Sequence, residues 1–240
     1  MISREVGNRI GESKTLNNIG VVQHNLGQYP QALDYYEQSL GISRELEDLL
    51  GEGRTLSNIG LTYNGLGRYS QALDYYERSL AISRELENRL FESTTLNNIG
   101  LTYNNLGQYS QALDYYEYAL ATIREIGNRA GEGRALSNIG FTYNSLGKYP
   151  QALDYYERAL SISREIGDLS GEGRTLANIG GTYDSLSEYS QALGYYEQAL
   201  TIFHETGDRS GEGRILYNIC LFYNNLGQYS QALEYFEQSL

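Results

Sequence analysis

The chain has 240 residues, 40% of them hydrophobic, enough to bury a core and too many for a disordered polymer. Its 30 acidic and 18 basic residues give a net charge of −12, which argues against nucleic acid as a partner, because phosphate binding needs a basic surface. No apolar run approaches the roughly 18 residues that span a bilayer, Met1-Ile2-Ser3-Arg4-Glu5 does not begin a signal peptide, and Cys220 stands alone, so no membrane contact is expected and the location implied is cytoplasmic.

The triplet Gln-Ala-Leu begins at Gln31, Gln71, Gln111, Gln151, Gln191 and Gln231, always 40 residues apart. Gly51 to Leu56 recurs, with changes, from Gly131, Gly171 and Gly211. A fixed period of this size marks stacked supersecondary units. It also explains how 24 Tyr and 27 Gly accumulate beside only 2 Pro and no Trp. The spacing predicts six repeats in one array over 1–240, at about 8–47, 48–87, 88–127, 128–167, 168–207 and 208–240. At the ends, Ile2–Glu5 matches Ile42–Glu45, the second half of a second helix, and Leu240 matches Leu80, the middle of one. The expectation is an array truncated at both ends.

Residues 48–87 show one unit in chain order. Asp48 is placed to cap a helix and Glu52 lies in its early turns. Leu56, Ile59, Tyr63 and Leu66 are spaced 3, 4 and 3 apart, which predicts one apolar face. Gly67 is a left-handed stop. Ser70 is the expected cap of a second helix that carries Ala72, Leu73, Tyr76 and Leu80 to about Leu86, and Pro30 and Pro150 replace that serine where a first turn tolerates proline. Gly127, Gly167 and Gly207 mark the end of the second helix in other copies. Gly60 and Ala72 are small where the two helices must cross, and Tyr63 and Tyr76 fill space around them. No single pair can enclose its own apolar face, so each must stack on the next.

Leu56, Ile59-Gly60, Tyr63, Ala72, Tyr76 and Ser79 fall at the spacing of the tetratricopeptide signature, and the chain resembles that family over its whole length. The usual proline after the second helix is absent and six residues are added, as in the long-repeat subclass of kinesin light chains, Pins-type spindle-orientation scaffolds and bacterial arrays. The resemblance implies an all-α, right-handed superhelical solenoid of antiparallel helix pairs. It also implies a protein-interaction scaffold whose first helices line a concave groove.

Arg54 and Asn58 lie four apart on one helical face, away from Leu56, Ile59 and Tyr63. The pair recurs as Arg134/Asn138, Arg174/Asn178 and Arg214/Asn218, conservatively as Lys14/Asn18, and as Asn98 with Thr94 in place of arginine. Asn can bond both the N–H and C=O of an extended peptide, and Arg can grip a carboxylate with two bonds. The resemblance implies such a peptide-contacting role. The alternative is a structural ladder, with Asn joining neighbouring helices and Arg pairing with acids such as Glu52. Further along the face come Val21, Leu61, Leu101, Phe141, Gly181 and Leu221, then Asn64, Asn104, Asn144, Asp184 and Asn224. Together these predict a groove for a peptide or protein segment with acidic and apolar side chains, unless the apolar column packs between first helices.

Other candidates read as structure. One Tyr of each pair from Tyr35/Tyr36 to Tyr195/Tyr196 matches the family's buried aromatic, which outweighs base stacking. Asp74, Glu77 and Glu85 repeat in register, as a solvated face does, whereas catalysis needs a unique constellation. His24 and His204 have no companions at metal-ligand spacing. Cys220, replacing a close-packing glycine, reads as a buried thiol. Gly51-Glu52-Gly53 lacks the ending of a phosphate loop. No enzyme activity and no cofactor are expected. Leu233, Phe236 and Leu240, left uncovered, predict head-to-tail self-association of copies.

Overall fold

A computed structural model describes the backbone of residues 2–238 and the side chains from Gly7 to Gln238. Among these residues the chain forms twelve α-helices and no strand. It divides into two compact units, Met1–Ile126 and Gly127–Leu240. The first contains α1 (Ile2–Asn25), α2 (Tyr29–Glu45), α3 (Leu49–Gly65), α4 (Tyr69–Glu85), α5 (Arg89–Asn105) and α6 (Tyr109–Glu125). The second contains α7 (Arg129–Ser145), α8 (Tyr149–Ile166), α9 (Leu169–Ser185), α10 (Tyr189–Thr206), α11 (Arg209–Asn225) and α12 (Tyr229–Gln238).

Each odd-numbered helix pairs with the even-numbered helix that follows, through a turn of a few residues that folds the two antiparallel. Within each unit, α1, α3 and α5, or α7, α9 and α11, also touch one another. Among the described residues the second helices α2, α4 and α6, or α8, α10 and α12, do not approach each other. The first helices therefore form the inner layer of each unit.

The pairs are held by a fixed device. Gly60 faces the Tyr76 ring so closely that an added Cβ would lie 2.9 Å from it, and Gly100, Gly140 and Gly180 meet Tyr116, Tyr156 and Tyr196 the same way. Tyr36, Tyr76, Tyr116 and Tyr156 are at most 1% exposed. In the first unit Ala32, Tyr36, Leu40, Leu56 and Ile59 make one core cluster. In the second, Ala152, Tyr156, Leu176, Ile179, Tyr196 and Ile219 belong to another. Each buried leucine or isoleucine among them contributes about 1.5–3 kcal/mol by leaving water. Beside the core, Tyr63 stacks on Tyr75, Tyr103 on Tyr115, Tyr143 on Tyr155, Tyr183 on Tyr195 and Tyr223 on Tyr235.

The turns follow the sequence at most points. Asp48 accepts from the Gly51 N–H, and Asn88, Asn128, Asp168 and Asp208 cap in the same way. Gly67 adopts φ 71°, and Gly127, Gly167 and Gly207 also have positive φ. Glu47 and Glu87 take the same left-handed conformation without being glycine, at φ 54° and 51°. Beside Gly51 and Gly53 the space is taken by side chains: added Cβ atoms would meet Asp48 and Ser43, or Ile82 and Phe91, at 2.5–2.9 Å.

Four expectations need correction. Ser70 does not cap α4, which already begins at Tyr69; Arg68 occupies the cap position and supplies no side-chain bond. The left-handed Gly67 brings the chain round two residues earlier than a Ser70 cap requires. Ile2–Glu5 is not a separate half-helix, because α1 runs unbroken from Ile2 to Asn25. Among the described residues α1 packs only on α2 and α3, so nothing holds a turn near Asn8, and continuing the helix satisfies each N–H locally. Leu66 ends the predicted apolar face but is 36% exposed, since α3 stops at Gly65. Cys220 is only partly buried. Leu240 and the side chains of Ile2 to Val6 lie outside the described residues.

Candidate functional site

On the inner layer, Arg54, Arg134, Arg174 and Arg214 all project into solvent from the second turn of their helices, as does Lys14 from α1. Among the described residues none of the five forms an ion pair. Arg174 donates to Ser170 Oγ at 3.3 Å, and the Arg214 guanidinium lies 5.9 Å from the Phe203 ring centre. Glu52 is engaged elsewhere: it accepts from Arg44 at 2.8 Å.

That engagement belongs to a ladder running along the repeat junctions. Glu92, 4% exposed in its side chain, accepts from Arg84 at 3.0 Å and from Arg89 at 2.7 Å, and Arg89 also reaches Glu125. Arg129 bridges Glu132 and Glu165, Arg164 pairs with Glu172, and Arg9 bridges Glu12 and Glu45. The Arg129 guanidinium holds the Glu165 carboxyl below the usual carboxylate range. Glu12, Glu52, Glu132, Glu172 and Glu212, each two residues before an inner cation, are thus already paired. The links of this ladder between helices were legible only as scattered charges, because those partners lie 8 or 36 residues apart.

The asparagine columns separate into two kinds. Asn58 donates to Asn17 Oδ1 at 3.0 Å, joining α3 to α1. Asn18 is exposed, while Asn98, Asn178 and Asn218 are half-buried, and no side-chain hydrogen bond engages them among the described residues. Asn138 is half-buried. The second column is structural in its contacts. Asn64, 9% exposed, donates to Thr102 Oγ1 at 2.8 Å and accepts from Asn105 at 2.9 Å. Asn144 accepts from Thr182 at 3.0 Å, Asn104 is 7% exposed, and His24 meets Thr62 at 3.0 Å. Burial holds the His24 imidazole below its ordinary pKa. The recurrence of Thr62, Thr102, Thr142 and Thr182 at an offset of 38 from those residues is the sequence signal for this column.

Between the columns, Leu61, Phe141 and Leu221 are 37%, 45% and 42% exposed, and Leu101 is half-buried. In the first unit a cleft of about 600 Å³ opens between α1, α3 and the end of α2, lined by Ser13, Lys14, Asn17, Asn18, Arg54 and Thr55. It brings three residues of the cation and amide columns, Lys14, Asn18 and Arg54, against one hollow. Among the described residues no group of His, Cys, Asp and Glu could hold a metal ion, and no helix is long and apolar enough to cross a membrane.

The tetratricopeptide repeat family model matches this chain in overlapping windows from 11–85 to 131–205, and a second tetratricopeptide model matches 213–240. No curated protein matches it. Among solved structures, a Rap protein complexed with competence and sporulation factor is similar at TM-score 0.74 and 16% identity, over 95% of this chain and 73% of that one. Aspartyl phosphate phosphatase F from Bacillus subtilis is similar at TM-score 0.75 and 18% identity, over 96% of this chain and 59% of its own length. Nearly identical repeats of a kinesin light chain from Podospora anserina are similar at TM-score 0.66 and 15% identity, over 81% and 96%. At these identities the likeness is one of fold.

Proposed function

The chain belongs to the tetratricopeptide repeat family, and from that premise we propose that it binds an extended segment of a partner protein along the inner face of its first helices. The observation that carries this reading is the cation column: Lys14, Arg54, Arg134, Arg174 and Arg214 face solvent with no acidic partner among the described residues, although the chain carries net charge −12. Keeping cations exposed beside a paired Arg–Glu ladder suits acids supplied by a ligand. Asn18, Asn58, Asn98, Asn138, Asn178 and Asn218 would meet the ligand backbone. Leu61, Leu101, Phe141 and Leu221 would meet its apolar side chains. Asn64, Asn104 and Asn144 would hold the neighbouring first helices beneath it. The similar Rap protein is complexed with competence and sporulation factor, which supports the use of this fold to hold a ligand. A cytoplasmic setting is consistent with a single unpaired thiol.

The test is to pass a random decapeptide library over the immobilised chain and sequence what is retained. Retained peptides should be enriched in Asp, Glu and apolar residues. Their affinity should fall as salt rises, because exposed charges are screened within about 8 Å at physiological ionic strength. Arg134→Ala with Arg174→Ala should weaken binding about ten-fold or more, since a hydrogen bond to a charged group contributes about 1.5–3 kcal/mol and ten-fold corresponds to about 1.4. Affinity that stays flat with salt would remove the arginines from the site.

A further inference from the structure

In a repeat this regular, departures stand out, and several fall together on α9 and α11. Gly181 replaces the leucine or phenylalanine of Leu61, Leu101, Phe141 and Leu221. Asp184 replaces the asparagine of Asn64, Asn104, Asn144 and Asn224, and Phe222 replaces the threonine of Thr62, Thr102, Thr142 and Thr182.

Packing does not explain Gly181. An added Cβ at Gly180 would lie 2.8 Å from the Tyr196 ring, so that glycine is obligatory; at Gly181 it would meet only Tyr196 Oη, at 3.5 Å, an ordinary contact. A helix-interior glycine weakens the helix, and here it leaves the apolar column open between Phe141 and Leu221, whose side chains are 45% and 42% exposed. Asp184 lies one turn further along the same face. Its counterpart Asn144 is bonded to Thr182 at 3.0 Å, but Phe222 is buried at 3% exposure against Tyr189 and Tyr223 and offers Asp184 no hydroxyl. The Asp184 carboxylate consequently has no hydrogen-bond or ion-pair partner among the described residues, and burial pushes its carboxyl up. An apolar notch thus ends on a half-buried, unpartnered anion.

We propose that the notch at Gly181 admits a lysine or arginine side chain of the bound partner segment, its aliphatic stem between Phe141 and Leu221 and its cation on the Asp184 carboxylate. Long cationic side chains suit such a site, since the stem can lie on apolar surface while the charged head finds its partner. The proposal rests on the inner-face reading and gives it polarity. Arg174, ten residues and about 15 Å along α9, reads an acid, while Asp184 reads a base. A segment lying along α9 is then read in one direction only.

The same decapeptide library tests it with Gly181→Leu, Asp184→Asn and Asp184→Lys. The first two restore residues that the other repeats carry, so folding is expected to survive and is checked by circular dichroism. With the unsubstituted chain, retained peptides should show Lys or Arg enriched at one position, set apart from the acidic one. That enrichment should fall at least five-fold in Gly181→Leu and in Asp184→Asn, and turn to Asp or Glu in Asp184→Lys, with the acidic preference at Arg174 unchanged. If basic enrichment is present and lost in these variants while no acidic preference exists, the notch stands and the arginine column falls. Absence of basic enrichment with the unsubstituted chain, or its persistence in both Gly181→Leu and Asp184→Asn, overturns the proposal. Retention of no peptide at all overturns it together with the inner-face reading.

Discussion

Two neighbouring glycines on α9 show how one residue type answers different demands. Gly180, like Gly140, exists because a tyrosine ring occupies the space where its Cβ would be. At Gly140 an added methyl would lie 2.9 Å from the Tyr156 ring and 3.2 Å from the Ala152 carbonyl oxygen, and neither can move without shifting α8. Gly140→Ala should therefore cost about 1–3 kcal/mol, the usual range for overpacking. Gly181→Ala meets no such contact and should stabilise by about 0.5–1 kcal/mol through the backbone entropy of the unfolded chain. Urea unfolding of the two variants checks both signs at once. A loss of stability at Gly181 would mean that the notch serves packing. The sequence made the first glycine legible, since it recurs with its tyrosine sixteen residues on. It made the second visible only as an exception, because nothing in the residue itself says whether the gap is filled.

At the scale of the element, the helix ends were legible where a side chain or glycine makes the turn, and obscure where the backbone does so alone. Asp48 and Gly67 carry their roles in their chemistry. Arg68 caps α4 with no side-chain bond, which is why a nearby serine drew the expectation. The second helices end on Gly127, Gly167 and Gly207, but on Glu47 and Glu87 in the earlier copies, and all five residues share a left-handed φ. That conformation costs a non-glycine residue about 1–2 kcal/mol. Glycine gives back about 0.4–1 kcal/mol by freeing the unfolded chain. Glu87→Gly should hence stabilise by a net amount of up to about 1.5 kcal/mol, seen as a higher urea midpoint with an unchanged slope. The candidate site divides along the same line. The cation column was legible because it faces water and needs no neighbour to be recognised. The Asn64, Asn104 and Asn144 column reads from sequence as part of the groove, although Asn64 and Asn144 bond the following first helix. A partner 38 residues away is invisible to any reading of a single helical face.

For the molecule as a whole, net charge and exposed apolar surface act in opposite directions. A charge of −12 makes copies repel. Against this, α12 presents Tyr229 at 69%, Leu233 at 57% and Phe236 at 42% exposure. Beside them, Leu200, His204, Leu216 and Gln238 line an open hollow. Contiguous apolar surface of this kind marks association sites. If α12 pairs with a second copy, the contact is driven by burial and opposed by long-range repulsion. Raising salt screens that repulsion over a length that falls from about 30 Å at 0.01 M to about 3 Å at 1 M. Association should therefore strengthen with salt, opposite in sign to the peptide binding expected at the arginine column. Light scattering across a concentration series, at low and high salt, should show a rising average mass that is larger at high salt. Leu233→Glu with Phe236→Glu, both on exposed positions, should abolish the rise and leave helical content unchanged. A mass that stays monomeric to millimolar concentration at both salts, or that the double substitution does not alter, would place any self-association elsewhere on the molecule.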